Sequence, residues 1–192
     1  MTAETNTSTS VTSLEDMVIN AIVENHVSVY GEDPVSAFIA KVEGEGDLDG
    51  ATSKLSSASV YVWNGFLDYD APEMYRAFDS VSGSLEAVAA DLYLNVEKLG
   101  ESSGSSVMII DDFKVNRAYK DEKSLAPRAV AAALVAAGIL RCDCLVAGMA
   151  WDDSYADLYK TLGLKKFKKT KLYVANNAYI GINDAVRKAL SI

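Results

Sequence analysis

The sequence predicts an α/β domain in which helices cover a central sheet. Strand-like and helix-like patterns alternate from Val107 to Val174, in the order strand, helix, strand, helix, strand. The run Cys142–Ala150 (CDCLVAGMA) is almost continuously apolar, which is typical of a strand that is covered on both faces. A chain of 192 residues, 49% of them hydrophobic, can bury one sizeable core. We therefore expect a polar arm over residues 1–12 and a single domain over residues 13–192.

Residues 13–106 are predicted to form a helix-rich half. Helices are expected from Ser13, from Pro34 to about Lys41, from Pro72 to about Ser80, and from Ser82 or Ser84 to about Leu99, since each begins at a capping or helix-starting residue. The stretch Gly44–Ser57 is rich in Gly, Asp and Ser, which favours a loop. Ala58–Trp63 is β-branched and aromatic, which predicts a strand.

Residues 107–176 carry the clearer pattern. The predicted elements are a strand at Val107–Val115, a helix from Leu125 to Ala137 capped by Ser124, a strand at Cys142–Ala150, a helix capped by Asp152 or Asp153 and ending at Leu162, a strand at Phe167–Val174, and a terminal helix at Ile182–Leu190. Gly138 and Gly163 follow the two central helices, as helix-ending residues do.

The net charge of −9 is unevenly distributed. Residues 1–112 carry 20 acidic and 4 basic residues, whereas residues 113–192 carry 7 acidic and 14 basic residues. The acidic half disfavours nucleic acid and favours cationic partners. The basic half could hold an anionic ligand, or its charge could simply be solvated surface.

Several functional classes are disfavoured by the sequence. No apolar stretch approaches the length of a membrane span, and the start of the chain lacks a secretory pattern, so we expect a cytoplasmic protein. His26 is the sole histidine, which leaves no Ser-His-Asp triad. Cys142 and Cys144 are expected to be buried thiols, and no metal site is predicted.

The segment from Val107 to Asn176 resembles the acetyl-CoA-binding half of the GNAT superfamily of N-acetyltransferases. The resemblance rests on a strand ending in Phe113–Val115, a loop at Asn116–Ala126, the alanine-rich helix, and Leu158–Leu164 (LYKTLGL), which matches the tail signature of the family. It covers about 70 of the 192 residues. It implies a mixed central sheet with helices on both faces, acetyl-CoA as cofactor, and a small-molecule or protein amine as acceptor.

The resemblance also implies roles for individual residues. Tyr159 aligns with the tyrosine that protonates the departing thiolate, and Asp111 lies in the strand that often carries the general base. Asp111 is favoured over Asp112 because strand alternation places it on the face of Phe113 and Val115. The positions expected to hold the cofactor are Val115, Lys120, Lys123, Ser124, Leu125 and Ala126.

Other functions remain open. Lys123 and Leu125 stand where the family has glycines that admit a diphosphate, so the chain could be an inactive GNAT-fold protein that serves as an interaction or inhibitor module. Its partner surface would be the acidic half or the lysine cluster Lys165–Lys171. A third possibility is an acyl-CoA or nucleotide binder without transfer chemistry. Tyr159 could be a core aromatic, and the carboxylates at positions 111 and 112 could be solvated.

Overall fold

The computed structural model describes residues 37–48, 51–64, 78–79, 82–95, 106–119, 125–136 and 144–175, together with residues 185 and 188. These residues form a mixed α/β fold. The strands are β1 (Ala37–Leu48), β2 (Ala51–Asn64), β3 (Ser106–Val115), β4 (Cys144–Met149), β5 (Lys165–Lys166) and β6 (Leu172–Ala175). The helices are α1 (Gly83–Leu94), α2 (Leu125–Ala136) and α3 (Asp153–Thr161), and a 3-10 turn spans Arg117–Tyr119.

Several predicted features lie outside the described residues. They are the arm over residues 1–12, the helix from Ser13, His26, most of the helix from Pro72, Cys142, and most of the terminal helix from Ile182. Within the described part of the chain, no helix has both the length and the apolar character needed to cross a membrane.

The six described strands form one sheet in the order β1-β2-β3-β4-β6-β5. β3 and β4 are parallel, and α2 forms the crossover between them, as a parallel pair requires. The other neighbours are antiparallel. The sheet is therefore mixed, with its parallel pair at the centre.

The first two strands correct the prediction for the N-terminal half. β1 and β2 pair continuously from Ala37↔Trp63 to Leu48↔Ala51, so the predicted helix from Pro34 to Lys41 and the predicted loop at Gly44–Ser57 are wrong over these residues. The residues between the strands, Asp49 and Gly50, are a sequence signal for a tight hairpin. Small polar residues form strands here because β1 and β2 pair with each other and β2 also pairs with β3 from Ser56 onward.

A smaller correction concerns the last strand. Phe167–Val174 was expected to be continuous, but β5 and β6 are separate strands of a hairpin. Lys168 adopts a φ of 50° in the connecting turn. The Thr170 hydroxyl donates a hydrogen bond of 2.6 Å to the Phe167 carbonyl and accepts one of 3.1 Å from the Leu172 amide. These bonds close a turn within the segment whose alternating pattern predicted a continuous strand.

Helices cover both faces of the central strands. On one face, α1 packs Leu85, Val88, Ala89 and Leu92 against Val107, Ile109, Leu145 and Ala147. On the other face, residues of α2 and α3 pack against Met108, Ile110 and Val146. β3 and β4 are therefore buried on both sides, which explains why their sequences are apolar without alternation.

A β-bulge changes the alternation near the end of β3. Ser59 pairs with Asp111 and Ser57 pairs with Lys114, so Asp112 and Phe113 together stand opposite Ala58. Asp112 has a φ of 53°, in the left-handed region. The extra residue moves Phe113 into the core beneath α2 and α3, whereas Asp111 turns towards α1. The expectation that Asp111 and Phe113 share a face is therefore wrong.

Candidate functional site

The parallel strands β3 and β4 pair only over their first four residues. Their register runs from Ser106↔Cys144 to Ile109↔Ala147 and then stops. Beyond that point β3 continues to Val115 against β2, whereas β4 stays with β6 through Met149. The two strands thus separate into a fork at the carboxyl end of the parallel pair, which is where open α/β sheets bind ligands.

Tyr159 of α3 lies in this fork. Its hydroxyl donates a hydrogen bond of 2.8 Å to the Ile110 carbonyl of β3 and lies 3.4 Å from the Met149 carbonyl of β4. The residue is fully buried, and burial together with the negative charge of Asp111 raises the pKa of the phenol far above its ordinary value. The fork therefore contains a phenol that keeps its proton.

Gly148 makes room for that phenol. A Cβ on Gly148 would overlap the ring and the hydroxyl of Tyr159. The Tyr159 hydroxyl lies at the fork, and its role as a proton donor stays a prediction. Its ring is also a core aromatic, in contact with Tyr173 at a centroid distance of 5.6 Å.

Asp111 is held by residues from two other parts of the chain. Its Oδ2 accepts a hydrogen bond of 2.5 Å from the hydroxyl of Ser84, in the first turn of α1. Its Oδ1 accepts one of 3.2 Å from the indole Nε1 of Trp151, just after β4. The side chain is only 3% exposed, so the alternative of a solvated strand-end carboxylate does not describe it. Asp112 does fit that description, because it is exposed and pairs with Lys114 at 2.9 Å.

These residues surround an open cleft of about 430 Å³. Its walls are Gly83, Ser84, Asp111, Asp112, Trp151 and Tyr155. Trp151 is 39% exposed and Tyr155 is half-buried. Trp151 and Tyr155 follow the end of β4 closely in the chain, and both line the cleft.

A row of aromatic rings connects the cleft with the fork. Tyr155 makes an edge-to-face contact with Phe113, with centroids 5.8 Å apart, and its ring lies 6.2 Å from that of Tyr159. Burial raises the pKa of Tyr155 to about 12, and the charges of Asp111 and Asp112 add to the effect. The Asp111 carboxylate therefore contributes to the raised pKa of both Tyr155 and Tyr159.

Helix caps position the residues of the cleft. Asp152 caps α3, accepting hydrogen bonds from the amides of Ser154 at 2.8 Å and Tyr155 at 3.2 Å. Ser82 caps α1, and its hydroxyl lies 3.0 Å from that of Ser84. The sequence predicted both capping positions, although it offered two candidates for each.

The predicted cofactor-binding residues are only partly described. Val115 is half-buried at the end of β3, paired with Ser56. Leu125 and Ala126 are buried in the first turn of α2, where the Ser56 hydroxyl donates a hydrogen bond of 2.8 Å to the Ala126 carbonyl. Lys120, Lys123 and Ser124 lie outside the described residues.

The sequence did not predict the roles that three residues have in this site. Ser84 was identified only as a possible cap, Gly148 was not singled out, and Gly83 lines the cleft. A Gly within an otherwise apolar buried strand is a signal for close approach of another group, which could have pointed to Gly148. No local signal joins Ser84 to Asp111, because 27 residues separate them.

The lysine cluster lies on the β5–β6 hairpin. Lys165, Lys166, Lys168, Lys169 and Lys171 are all exposed. The Lys168 ammonium lies 5.0 Å from the centre of the Phe167 ring, a cation–π contact within the cluster.

A scan against protein-family models finds no match for this chain, and searches of curated proteins and of solved structures find no significant match.

Proposed function

We propose that the chain is an acetyl-CoA-dependent N-acetyltransferase of GNAT type that acts on a cationic amine. The observation that carries the proposal is the fork between β3 and β4, with the Tyr159 hydroxyl inside it and the Asp111 carboxylate beside it. The mixed sheet with helices on both faces of its central strands supports the proposal.

The start of α2 is compatible with an acyl-CoA. α2 begins at Leu125, directly after the predicted phosphate-binding loop, and its first amides carry the partial positive charge of a helix N-terminus. Because Leu125 and Ala126 turn their side chains into the core, contact with a diphosphate would come from backbone amides. Bound acetyl-CoA would supply an activated acetyl thioester.

Asp111 and Tyr159 can move the two protons that acyl transfer requires. An ammonium acceptor must lose a proton before its nitrogen can attack the thioester carbon, and Asp111 can take that proton directly or through a water. When the carbon–sulfur bond breaks, the thiolate must gain a proton. Tyr159 is protonated at neutral pH. Its hydroxyl can exchange the hydrogen bond to the Ile110 carbonyl for one to sulfur and pass its proton there, while it regains a proton from the acceptor nitrogen, which releases its second proton as the amide forms.

A thermal-shift titration with acetyl-CoA tests the proposal. Ligand at 100 times its dissociation constant should stabilise the fold by about 2.7 kcal/mol. ATP is the matched control, because it carries a similar polyphosphate without the acyl group. Absence of a shift at millimolar acetyl-CoA, or an equal shift with ATP, would overturn the proposal.

Transfer of labelled acetyl groups to an alkylamine then tests the assigned roles. Asp111→Asn and Tyr159→Phe should each reduce turnover by about 10²–10⁴-fold while the acetyl-CoA shift remains. Asp157→Asn is the control, since Asp157 lies on α3 and pairs with Lys160 at 3.1 Å, away from the cleft. Wild-type turnover in both variants would remove Asp111 and Tyr159 from the mechanism.

A second candidate is a catalytically inactive GNAT-fold protein that binds a protein partner. The observation favouring it is the exposure of all five lysines on a hairpin whose turn is closed by the Thr170 hydroxyl. An acidic protein surface would complement this hairpin. Partner binding should then weaken with added salt and fail when Lys165, Lys168 and Lys169 are changed to Glu. Binding that is insensitive to salt would contradict it.

A further inference from the structure

We propose that the cleft beside Asp111 binds an organic ammonium group that carries apolar substituents, through the charge of the Asp111 carboxylate and the ring face of Trp151. Binding of this ammonium group does not require acyl transfer. The inference rests on the proposed function only where it identifies the bound ammonium as the head group of the acceptor amine.

The charge of Asp111 has no cationic partner in the described part of the chain. Its two oxygens accept hydrogen bonds from Ser84 and Trp151, which are neutral donors. No described Lys or Arg lies within salt-bridge distance of it, and the nearby Lys114 pairs with Asp112. The internal donors satisfy the lone pairs of Asp111 but leave its negative charge available to a ligand.

The aromatic side chains define the kind of cation that fits. Trp151 points its indole N–H at Asp111, so the edge of the ring is occupied while the residue remains 39% exposed at the mouth of the cleft. Tyr155 forms another wall. Aromatic faces beside a carboxylate favour weakly hydrated organic cations, which need a negative field and apolar contact rather than many hydrogen bonds.

A hydrated metal ion fits this cleft less well. Divalent ions take several oxygen ligands, and the described residues contain no group of three or more acidic, His or Cys side chains that could hold one. The oxygens of Asp111 are only slightly exposed and already accept hydrogen bonds, which suits a ligand attracted by charge at a short distance rather than one that coordinates.

Trp151 can report binding directly. The chain has two tryptophans, Trp63 and Trp151, so a Trp63→Phe background leaves Trp151 as the single reporter. Choline is the cationic probe, because it cannot donate a hydrogen bond from nitrogen. Its carbon isostere, in which a carbon atom replaces the nitrogen, has the same shape without the charge. We expect choline to change the Trp151 emission in a saturable way and to bind at least about tenfold more tightly than the isostere.

Substitutions test whether the charge of Asp111 binds choline. Asp111→Asn keeps an oxygen acceptor for Ser84 or Trp151 and should weaken choline binding at least about tenfold, whereas Asp157→Asn should leave it unchanged. If Asp111→Asn fails to fold, the salt dependence of choline binding to the parent protein replaces it, since binding by a charge must weaken as salt is added. Equal affinity for choline and its isostere, an unaffected Asp111→Asn variant, or no saturable signal would each overturn the inference.

The two proposals fail separately. An intact acetyl-CoA shift without choline binding would remove only the ammonium site. Choline binding without an acetyl-CoA shift would remove only the acetyltransferase.

Discussion

The ring of Tyr159 lies directly over Gly148, so that β4 and α3 approach each other at a point where no side chain can intervene. The same ring directs its hydroxyl to the Ile110 carbonyl of β3. One side chain therefore joins the two strands of the fork, and the separation of the strands begins where the phenol enters.

The first prediction concerns Gly148→Ala. The new methyl group would overlap a buried ring that has no free space to move into, so the substitution should lower the free energy of unfolding by about 1–3 kcal/mol. Urea denaturation measures the loss. Gly83→Ala is the matched control, because nothing lies within 4 Å of a Cβ at that exposed helix position, and it should stabilise by up to about 1 kcal/mol.

A double mutant sharpens this test. When Gly148→Ala is combined with Tyr159→Leu, the overlap disappears and the two losses should not add. Additive losses, or equal stability of Gly148→Ala and Gly83→Ala, would show that the ring does not occupy this position.

The second prediction concerns the Tyr159 hydroxyl. Tyr159→Phe keeps the ring in the core but leaves the Ile110 carbonyl without its buried donor. We expect a loss of about 1–3 kcal/mol in the free energy of unfolding. Tyr93→Phe is the comparison, because Tyr93 is 50% exposed, and its effect should stay within about 0.5 kcal/mol. A neutral Tyr159→Phe would mean that water or another group satisfies the carbonyl.

The third prediction is a loss of stability at alkaline pH. The folded pKa of Tyr159 lies above the value of about 10 in the unfolded chain. The unfolded chain therefore releases this proton first as the pH rises. Stability should be unaffected by Tyr159 below about pH 10 and should fall above it, by about 1.4 kcal/mol per pH unit for this residue.

Denaturant titrations across the alkaline range measure this slope. In Tyr159→Phe the slope should be shallower than in the parent protein. Tyrosinate absorbance provides an independent view, because Tyr155, with a pKa of about 12, and Tyr159 should ionise late in the folded state. Equal slopes in Tyr159→Phe and the parent would contradict the assignment.

The fourth prediction concerns the cap of α3. Asp152→Ala removes the acceptor for the Ser154 and Tyr155 amides and should cost about 1 kcal/mol, whereas Asp152→Ser should retain most of the stability. Hydrogen bonds from Ser154 and these amides lower the pKa of Asp152. Its stabilising effect is therefore present at neutral pH and lost as the pH falls through the acid range, so thermal melts of Asp152→Ala and the parent should converge in acid.

Short-range patterns were sufficient for much of the second half of the chain. The alanine-rich run after Ser124 predicted α2 within one residue of its observed end at Ala136. Asp152 followed by a helical pattern predicted the start of α3, and the apolar run around Cys144–Met149 predicted a strand buried on both faces. Capping, helix propensity and hydrophobic periodicity act over a few residues, so they can be read directly from the sequence.

The structure of the first half of the chain depends on contacts between residues that are distant in sequence. The polar segment Gly44–Ser57 has a local composition that favours a loop, yet its described residues form parts of β1 and β2 because the two strands pair with each other and β2 also pairs with β3 from Ser56 onward. Propensity in strands is weak compared with pairing and burial, and pairing partners cannot be read from one segment alone.

Local signals in the chain predicted the central order of strands and helices and the helix caps. How the carboxylate, phenol and indole side chains come together depends on the tertiary fold. Ser84, Asp111 and Trp151 come from three distant segments, the bulge at Asp112 turns Phe113 away from the face of Asp111, and Gly148 admits the ring of Tyr159. The physical reason is that burial, bulges and close approaches depend on partners supplied by the whole fold, whereas propensities and caps act within a few neighbouring residues.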